Sequence, residues 1–330
     1  MIIDLPDTTT RDVDRRLLQA RDEGGAVALG RVLTLIVDVG DHDPTEAIDA
    51  ANAASHEHPC RILVLGATTP ADVPRLDAQI RLGGDAGASE VVLLRPSGPG
   101  GLAETTGPDG LDAGFDNELD TLLMPLLLPD APIVAWWPFD VPDDPAAHPL
   151  GAMAGRRITD TTSAADPSAA LRRLAVAYTA GDTDLAWTRA TLWRGLIAAT
   201  LDQPPYEPVT AATVSGEATH PSLDLLAAWL AQALRCPVTV ERIPGAPAVT
   251  QVRLQRRSGA IVLDRPDGKT AVLAQPGQPE HRIAMPLRTL RECLVEELRR
   301  LDPDEVYGEV LTQGLARVTD QAAALEGALS

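Results

Sequence analysis

The stretch AVALGRVLTLIVDVGDHDPTEAIDAANAASHEHPCRILVL, residues 26–65, decides the fold. Its opening, residues 26–39, is a β-branched apolar run stopped by Gly40, the pattern of a strand buried on both faces. Asp43, Pro44 and Glu46 then supply an N-cap, a first-turn proline and an N3 acid, which predicts a helix to about His56. Residues 61–65, RILVL, return to a short buried strand. Two buried strands joined through a helix form the repeating unit of a largely parallel sheet covered on both faces.

Outward from this unit the same grammar continues. Residues 79–82 and 90–95 read as strands around the interruption GGDAGAS, residues 115–128 as a helix, and residues 131–137 and 156–160 as further strands. The Gly-, Pro- and acid-rich stretch 96–114 is too long and polar for a tight connection, so a mobile surface loop is expected there. Asp166-Pro167 starts a new helix and marks a boundary, giving an α/β domain over 1–165 and a second domain over 166–330. That second domain should hold helices at 168–179 and 184–201, a strand at 209–214 and a helix at 222–234. Short strands at 238–243, 250–255, 260–263 and 270–274 follow, with turns at Ser258-Gly259 and Asp267-Gly268. These read as an antiparallel meander closed by a helix over 288–300, whose Leu287, Leu290, Leu294, Leu298 and Leu301 line one side. The expected class is therefore two-domain α/β, with a mixed, mostly parallel sheet first and an α+β domain second.

Composition narrows the partners. The chain has 330 residues, 45% of them hydrophobic, and 28 basic against 47 acidic residues give a net charge of −19. Such a surface repels nucleic acid and anionic membranes, which bind through clustered cations. The start MIIDLPDTTT carries acids where a secretory signal needs a basic region and an apolar run, and no later apolar run reaches the roughly 18 residues of a membrane span. A cytoplasmic protein is expected. Cys60, Cys236 and Cys293 are odd in number and far apart, so they read as free thiols.

Catalytic motifs are missing. No G-x-x-x-x-G-K-S/T loop occurs, no G-x-G-x-x-G opens a helix after a strand, and neither a G-x-S-x-G elbow nor an H-E-x-x-H helix is present. Lys269, the only lysine, sits in the turn PDGKT. The chain should therefore be no enzyme and should carry no cofactor. His56, His58 and Cys60 could ligate a metal by type, yet they precede their strand, whereas ligands of open α/β sheets gather past the carboxyl ends of strands. No metal is expected. Trp136 and Trp137 do lie at the end of a strand and point to opposite faces; core packing is the ordinary reading for both, with one ring serving a partner as the alternative. Asp38 and Asp160, also at strand ends, read as loop carboxylates.

One segment stands apart. DLAWTRATLWRGLIAATLD, residues 184–202, holds two of the five tryptophans of a chain that is only 3% aromatic. With Asp184 as cap, Ala186, Ala190, Trp193 and Ile197 fall on one helical stripe, and Trp187, Thr191, Arg194 and Ala198 on the stripe beside it. Core packing is the ordinary place for a tryptophan at this spacing, and an aromatic beside a guanidinium is also the pattern of an interface anchor.

This segment closely resembles the signature helix of the actinobacterial glucose-6-phosphate dehydrogenase assembly protein family, OpcA. The opening MIIDLPDTTTRDVDRRLLQARDEGGAVALGRVLTLIV, the segment ASHEHPCRILVL (residues 54–65) and IVAWWP (residues 133–138) resemble the same family, so the likeness spans residues 1–202. It implies a non-catalytic assembly factor and allosteric activator of glucose-6-phosphate dehydrogenase, supporting NADPH production in the oxidative pentose phosphate pathway. Trp187, Arg189, Trp193 and Arg194 match the signature helix and become interface or hinge candidates, with Trp136 and Trp137 as a further platform. The alternative is an enzyme or sensor that takes a sugar phosphate or nucleotide between the two domains, with Arg156, Arg157, Arg189 or Arg194 as anion forks.

Overall fold

A computed structural model of the chain describes residues 1–24, 32–67, 69–82, 90–98 and 116–320. The GGDAGAS segment and residues 99–114 of the expected loop lie outside these. The chain divides into two units, one formed by Met1–Thr159 with Leu290–Pro303, the other by Asp160–Thr289 with the stretch from Asp304. The boundary expected at 165/166 is a single cut, whereas contacts divide the chain at 159/160 and return a later segment to the first unit.

The first unit runs β1 (Ile2–Thr8), α1 (Thr10–Gly24), β2 (Leu33–Gly40), α2 (Thr45–Ser55), β3 (Cys60–Gly66), β4 (Thr69–Pro70), β5 (Arg75–Leu82), β6 (Glu90–Gly98), α3 (Asp116–Leu123), β7 (Ile133–Trp137), α4 (Pro149–Met153) and β8 (Arg156–Thr159). The strands line up in the order β1-β5-β6-β3-β2-β7-β8. The apolar run before Gly40 is the central strand, parallel to β3 through Leu35↔Ile62 and Val37↔Val64 and to β7 through Ile36↔Ala135. Burial on both sides explains its unbroken apolar character. Helix α2 starts where the sequence sets it, with the Asp43 carboxylate accepting from the Thr45 amide at 2.8 Å. Because β3 and β6 follow β2 on one side while β7 and β8 lie on the other, the chain reverses direction across the sheet between β2 and β7. In open α/β sheets such a reversal opens a crevice at the carboxyl ends of the strands.

The second unit runs α5 (Pro167–Ala177), β9 (Asp182–Asp184), α6 (Leu185–Arg189), α7 (Thr191–Leu201), β10 (Ala211–Gly216), α8 (Pro221–Leu234), β11 (Val238–Arg242), β12 (Val249–Arg256), β13 (Gly259–Asp264), β14 (Thr270–Ala274) and β15 (His281–Ala284). The chain then forms α9 (Leu290–Glu297) in the first unit and ends its described part with α10 (Glu305–Glu309) and β16 (Val318–Asp320) in the second. The sheet order is β15-β14-β13-β12-β10-β11-β16. From β12 to β15 it is the antiparallel meander that the turn residues predict; Gly259 and Gly268, at φ 124° and 67°, make the positive-φ turns. Two differences stand out. The segment expected as the first meander strand, β11, instead lies parallel to β10 after the crossover helix α8, so that β10 separates it from β12. A run of alternating residues fixes a strand, but its partner follows from the connection, and a long helix between strands permits a parallel pair.

The second difference is α9. Of the expected stripe Leu294 and Leu298 are buried, with Cys293 beside them, while Leu290 and Leu301 are half-buried and Leu287 is 45% exposed; the helix packs on α2 of the first unit. An amphipathic stripe specifies that a helix face is covered and leaves the covering element open. The fixing contact is a buried ion pair: Glu297 of α9 accepts from Arg156 of β8 at 2.9 Å, with both side chains below a tenth exposed. A second one, in which Glu90 accepts from Arg61 and Arg21, closes the start of β6.

Removing one partner of such a pair strands the other charge. Glu297→Ala should therefore cost about 3–5 kcal/mol in urea denaturation, and Glu297→Gln, which keeps the acceptor, clearly less.

Candidate functional site

The signature segment of residues 184–202 forms two helices where one was expected. Asp184 caps α6 by accepting from the Ala186 amide at 2.8 Å, and its carboxylate also takes the Thr161 amide and hydroxyl at 2.9 Å each. After one turn the chain breaks at Ala190 (φ −86°, ψ −1°) and α7 begins. At the break the Ala190 amide bonds back to the Trp187 carbonyl at 3.1 Å, and a helix this short has few other amides to offer its last carbonyls. Side chains add donors: Ser222 donates to the Ala186 carbonyl at 2.6 Å, Arg194 to that of Trp187 at 3.4 Å, and Arg288 to that of Thr188 at 2.9 Å. The break is thus held by hydroxyl and guanidinium donors from α8, α7 and the end of the meander.

Both tryptophans of the segment are 1% exposed. Trp187 donates its indole N–H to Asp304 at 2.8 Å, packs 6.0 Å from the Tyr307 ring, and carries the Arg194 guanidinium 3.3 Å above its face. Asp304 spends its other oxygen on the Tyr307 amide as the cap of α10, and Tyr178 meets Tyr307 edge-on at 6.2 Å. Gly308 is obligatory in this nest because a Cβ there would overlap the Tyr178 hydroxyl. Trp193 lies with Ala190 and Ile197 in the second unit's core, against Val214, Leu226 and Val252, and the buried Arg265 stands 5.0 Å over its ring. Arg265 donates to the carbonyls of Met285 and Val249, and burial holds its pKa below the usual range.

The arginines weighed as anion forks are committed to the protein. Arg189 makes a two-pronged bond to Asp160, 2.8 Å on each arm; Arg156 pairs with Glu297; Arg157 donates to the Ala154 carbonyl at 2.8 Å. Asp160, expected as a solvated loop carboxylate, is buried, since it also caps the turn at Thr162. His220 stands by Arg189 and Asp160. Its Nδ1 accepts from the Ser222 amide at 3.3 Å to cap α8, and burial, helped by Arg189, lowers its pKa to about 4. Asp304, Tyr307, Tyr178 and Arg288 escaped sequence reading because they lie about a hundred residues from the segment they hold, or belong to other elements. The one signal was Trp187 itself, whose buried N–H demands an acceptor.

Trp136 and Trp137 are 0% and 2% exposed, so both rings are core; alternation puts them on opposite sheet faces, and both faces are covered. In the same unit the crevice between β2 and β7 is a cavity of about 470 Å³ lined by His42, Asp43, Thr45, Glu46, Asp49 and Phe139. Asp140 reaches His42 at 3.2 Å and fills the space where a Cβ on Gly40 (φ 52°) would sit. Asp38 just below has a raised pKa, because burial dominates over the Gly40 amide that it accepts. Carboxylates at the amino end of α2 repel a phosphate from the place where a nucleotide-binding sheet would hold one. Glu57 pairs with Arg299 at 2.9 Å and Cys60 is buried in the sheet. No group of three His, Cys, Asp or Glu among the described residues is placed to hold a metal ion.

Comparison with known families is direct. The profile described as glucose-6-phosphate dehydrogenase subunit N-terminal domain matches residues 51–105 and 112–176, and that of the C-terminal domain matches residues 180–311. The chain belongs to the glucose-6-phosphate dehydrogenase subunit family, OpcA. The signature segment thus opens the family's C-terminal domain. Comparison with curated proteins gives no match. Among solved structures, an oxidoreductase from Thermotoga maritima shares 9% identity over 87% of this chain and 94% of its own, with a TM-score of 0.36. A myo-inositol dehydrogenase from Lactobacillus casei, solved with NAD(H) and myo-inositol, shares 10% over 89% and 95%, with a TM-score of 0.39. An inositol dehydrogenase homolog from Azotobacter vinelandii shares 8% over 92% and 90%, at 0.34. Likeness this faint carries no argument about activity.

Burial sets the expected behaviour of the segment. Trp187→Ala and Trp193→Ala should each lose about 3–5 kcal/mol of stability, and Trp187→Phe, which keeps the packing but orphans Asp304, an intermediate amount in thermal unfolding. His220 gives a pH signature. Its folded pKa of about 4 lies below the ordinary 6.5, so the unfolded chain takes up a proton first as pH falls. Stability from this group is present above the ordinary value and lost between it and the folded one, by about 1.4 kcal/mol per pH unit. His220→Asn keeps a cap acceptor without titrating and should flatten the denaturation midpoint over that window.

Proposed function

We propose that this protein is a non-catalytic partner of glucose-6-phosphate dehydrogenase that promotes the enzyme's assembly into, or retention of, its active form. Membership of a family described by that enzyme's subunit, matched across both halves of the chain, carries the reading. The carboxylate-lined crevice agrees with it, since the place where an α/β enzyme would hold a phosphorylated substrate or nucleotide repels phosphate. Activation in this scheme is allosteric: the protein binds the active conformation of the dehydrogenase more tightly than the inactive one, because equal affinity for both shifts no population. The consequence is a greater supply of NADPH from the oxidative pentose phosphate pathway, in the cytoplasm. Trp187, Arg189, Trp193 and Arg194 serve this function as positioning residues that hold the fold of the partner-binding domain, and Trp136 and Trp137 do the same for the first unit.

The test is to mix the purified chain with the dehydrogenase of its host and follow mass and activity in one sample. A stable complex with raised activity per dehydrogenase subunit is expected, while the chain alone turns over no glucose 6-phosphate with NADP or NAD. Unchanged mass and activity at micromolar concentrations of both proteins would overturn the reading. Tight binding of glucose 6-phosphate to the isolated chain in calorimetry would favour a metabolite sensor.

A further inference from the structure

The joint between α6 and α7 falls at Ala190, the residue type of highest helix propensity, with no glycine or proline at the break. A helix that kinks without either does so where side chains enter its ladder of amide-to-carbonyl bonds. That is the case here. In a helix continuous across Ala190, the carbonyls of Ala186, Trp187 and Thr188 would accept from the amides of Ala190, Thr191 and Leu192. In the broken form Ala186 accepts from the Ser222 hydroxyl at 2.6 Å, and Thr188 from the Arg288 guanidinium at 2.9 Å. Trp187 accepts from the Ala190 amide at 3.1 Å and the Arg194 guanidinium at 3.4 Å. On the far side of the break, α7 begins with no capping side chain. The same three carbonyls thus have two sets of donors, one along the helix and one across it. The unbroken apolar stripe of Ala186, Ala190, Trp193 and Ile197 suits the first set.

What the break controls follows from the residues that α6 carries. The chain passes between the two units three times, after Thr159, after Thr289 and after Pro303. On the second unit's side every passage is bonded to α6 or its cap. Arg189 grips Asp160 with two bonds of 2.8 Å, and Asp184 accepts from the Thr161 hydroxyl at 2.9 Å. Thr188 accepts from Arg288, next to last before the second passage, and Trp187 donates to Asp304, first after the third. Helix α7 is anchored in the core by Trp193 and Ile197, so straightening at Ala190 turns α6 and leaves α7 in place. Trp187, Thr188 and Arg189 then move together and give up their bonds at all three passages.

We infer that the joint at Ala190 is a two-state latch: broken, α6 locks the three passages of the chain to the second unit, and continuous, it releases them. Leu185, Ala186, Trp187 and Thr188 are each at most 1% exposed, which makes the broken form the resting state. A ligand that binds the continuous form more tightly draws the equilibrium toward it by that difference in affinity. The exchange of bonds is a property of this chain and holds whatever the partner.

Amide hydrogen exchange of the full chain, followed by NMR, separates the two states, because Thr191 and Leu192 gain helical bonds to α6 only in the continuous one. Ser222→Ala with Arg288→Gln removes two of the donors across the break. The Thr191 and Leu192 amides should then exchange at least tenfold more slowly, while the Trp187 indole N–H, parted from Asp304, exchanges at least tenfold faster. Adding Ala190→Gly, which disfavours a helix through the joint, should move both rates back toward the wild type. Unchanged exchange at Thr191 and Leu192, or faster exchange there together with β10–β14, overturns the inference, because the donors then only hold the core together. If the double variant does not fold, Ser222→Ala alone decides: slower exchange at Thr191 and Leu192 upholds the latch, and any other result removes it.

Discussion

A single helical turn buried in protein interior has few amides to offer its last carbonyls, and side chains from three parts of the second unit add donors to them. Ser222, Arg194 and Arg288 each reach one carbonyl of α6, from the start of α8, from α7 and from the end of the meander. The donors therefore come from the elements that flank the sheet. Unmet, each buried carbonyl would cost on the order of 1–3 kcal/mol. Met by long-range side chains, the same groups tie α6 to three parts of the chain at once. Trp187 adds a fourth tie through Asp304, the residue at which the chain re-enters this unit after α9. Arg288 donates to Thr188 from just before the point where it departs. Consecutive residues of one short helix thus hold both ends of the excursion that becomes α9.

Within this chain the tryptophans of segment 184–202 lie inside the second unit. A motif rich in tryptophan and arginine suggests an anchor, but here the indole N–H, the aromatic face and the guanidinium are consumed within the unit. Buried aromatic and ionic contacts make this segment part of the unit's frame.

The crevice of the first sheet concentrates Asp43, Glu46 and Asp49 at the start of α2, and Asp38 is buried enough for its proton to be held above the ordinary range. Dinucleotide-binding sheets put backbone amides and glycines at the corresponding place. A sheet of this α/β kind by itself says little about chemistry.

By itself the sequence determined most of the elements. The apolar run ending at Gly40, the Asp43 cap, the DG and SG turns and the stripe of Ala186, Ala190, Trp193 and Ile197 are local signals. Each specifies a strand, a helix start, a reversal or a buried face from residues a few positions apart, and the class of fold follows from their order. Only the tertiary structure decided which faces meet. It joined β11 to β10, carried α9 to α2, broke the signature helix at Ala190 and buried Trp187 against Asp304, because each depends on a partner more than ten residues away. Periodicity records that a face must be covered and a polar group satisfied. The identity of the group that does so is fixed when distant segments compete for the same volume and the same hydrogen bonds, and for Trp187 and Glu297 that outcome separates a frame residue from an exposed one.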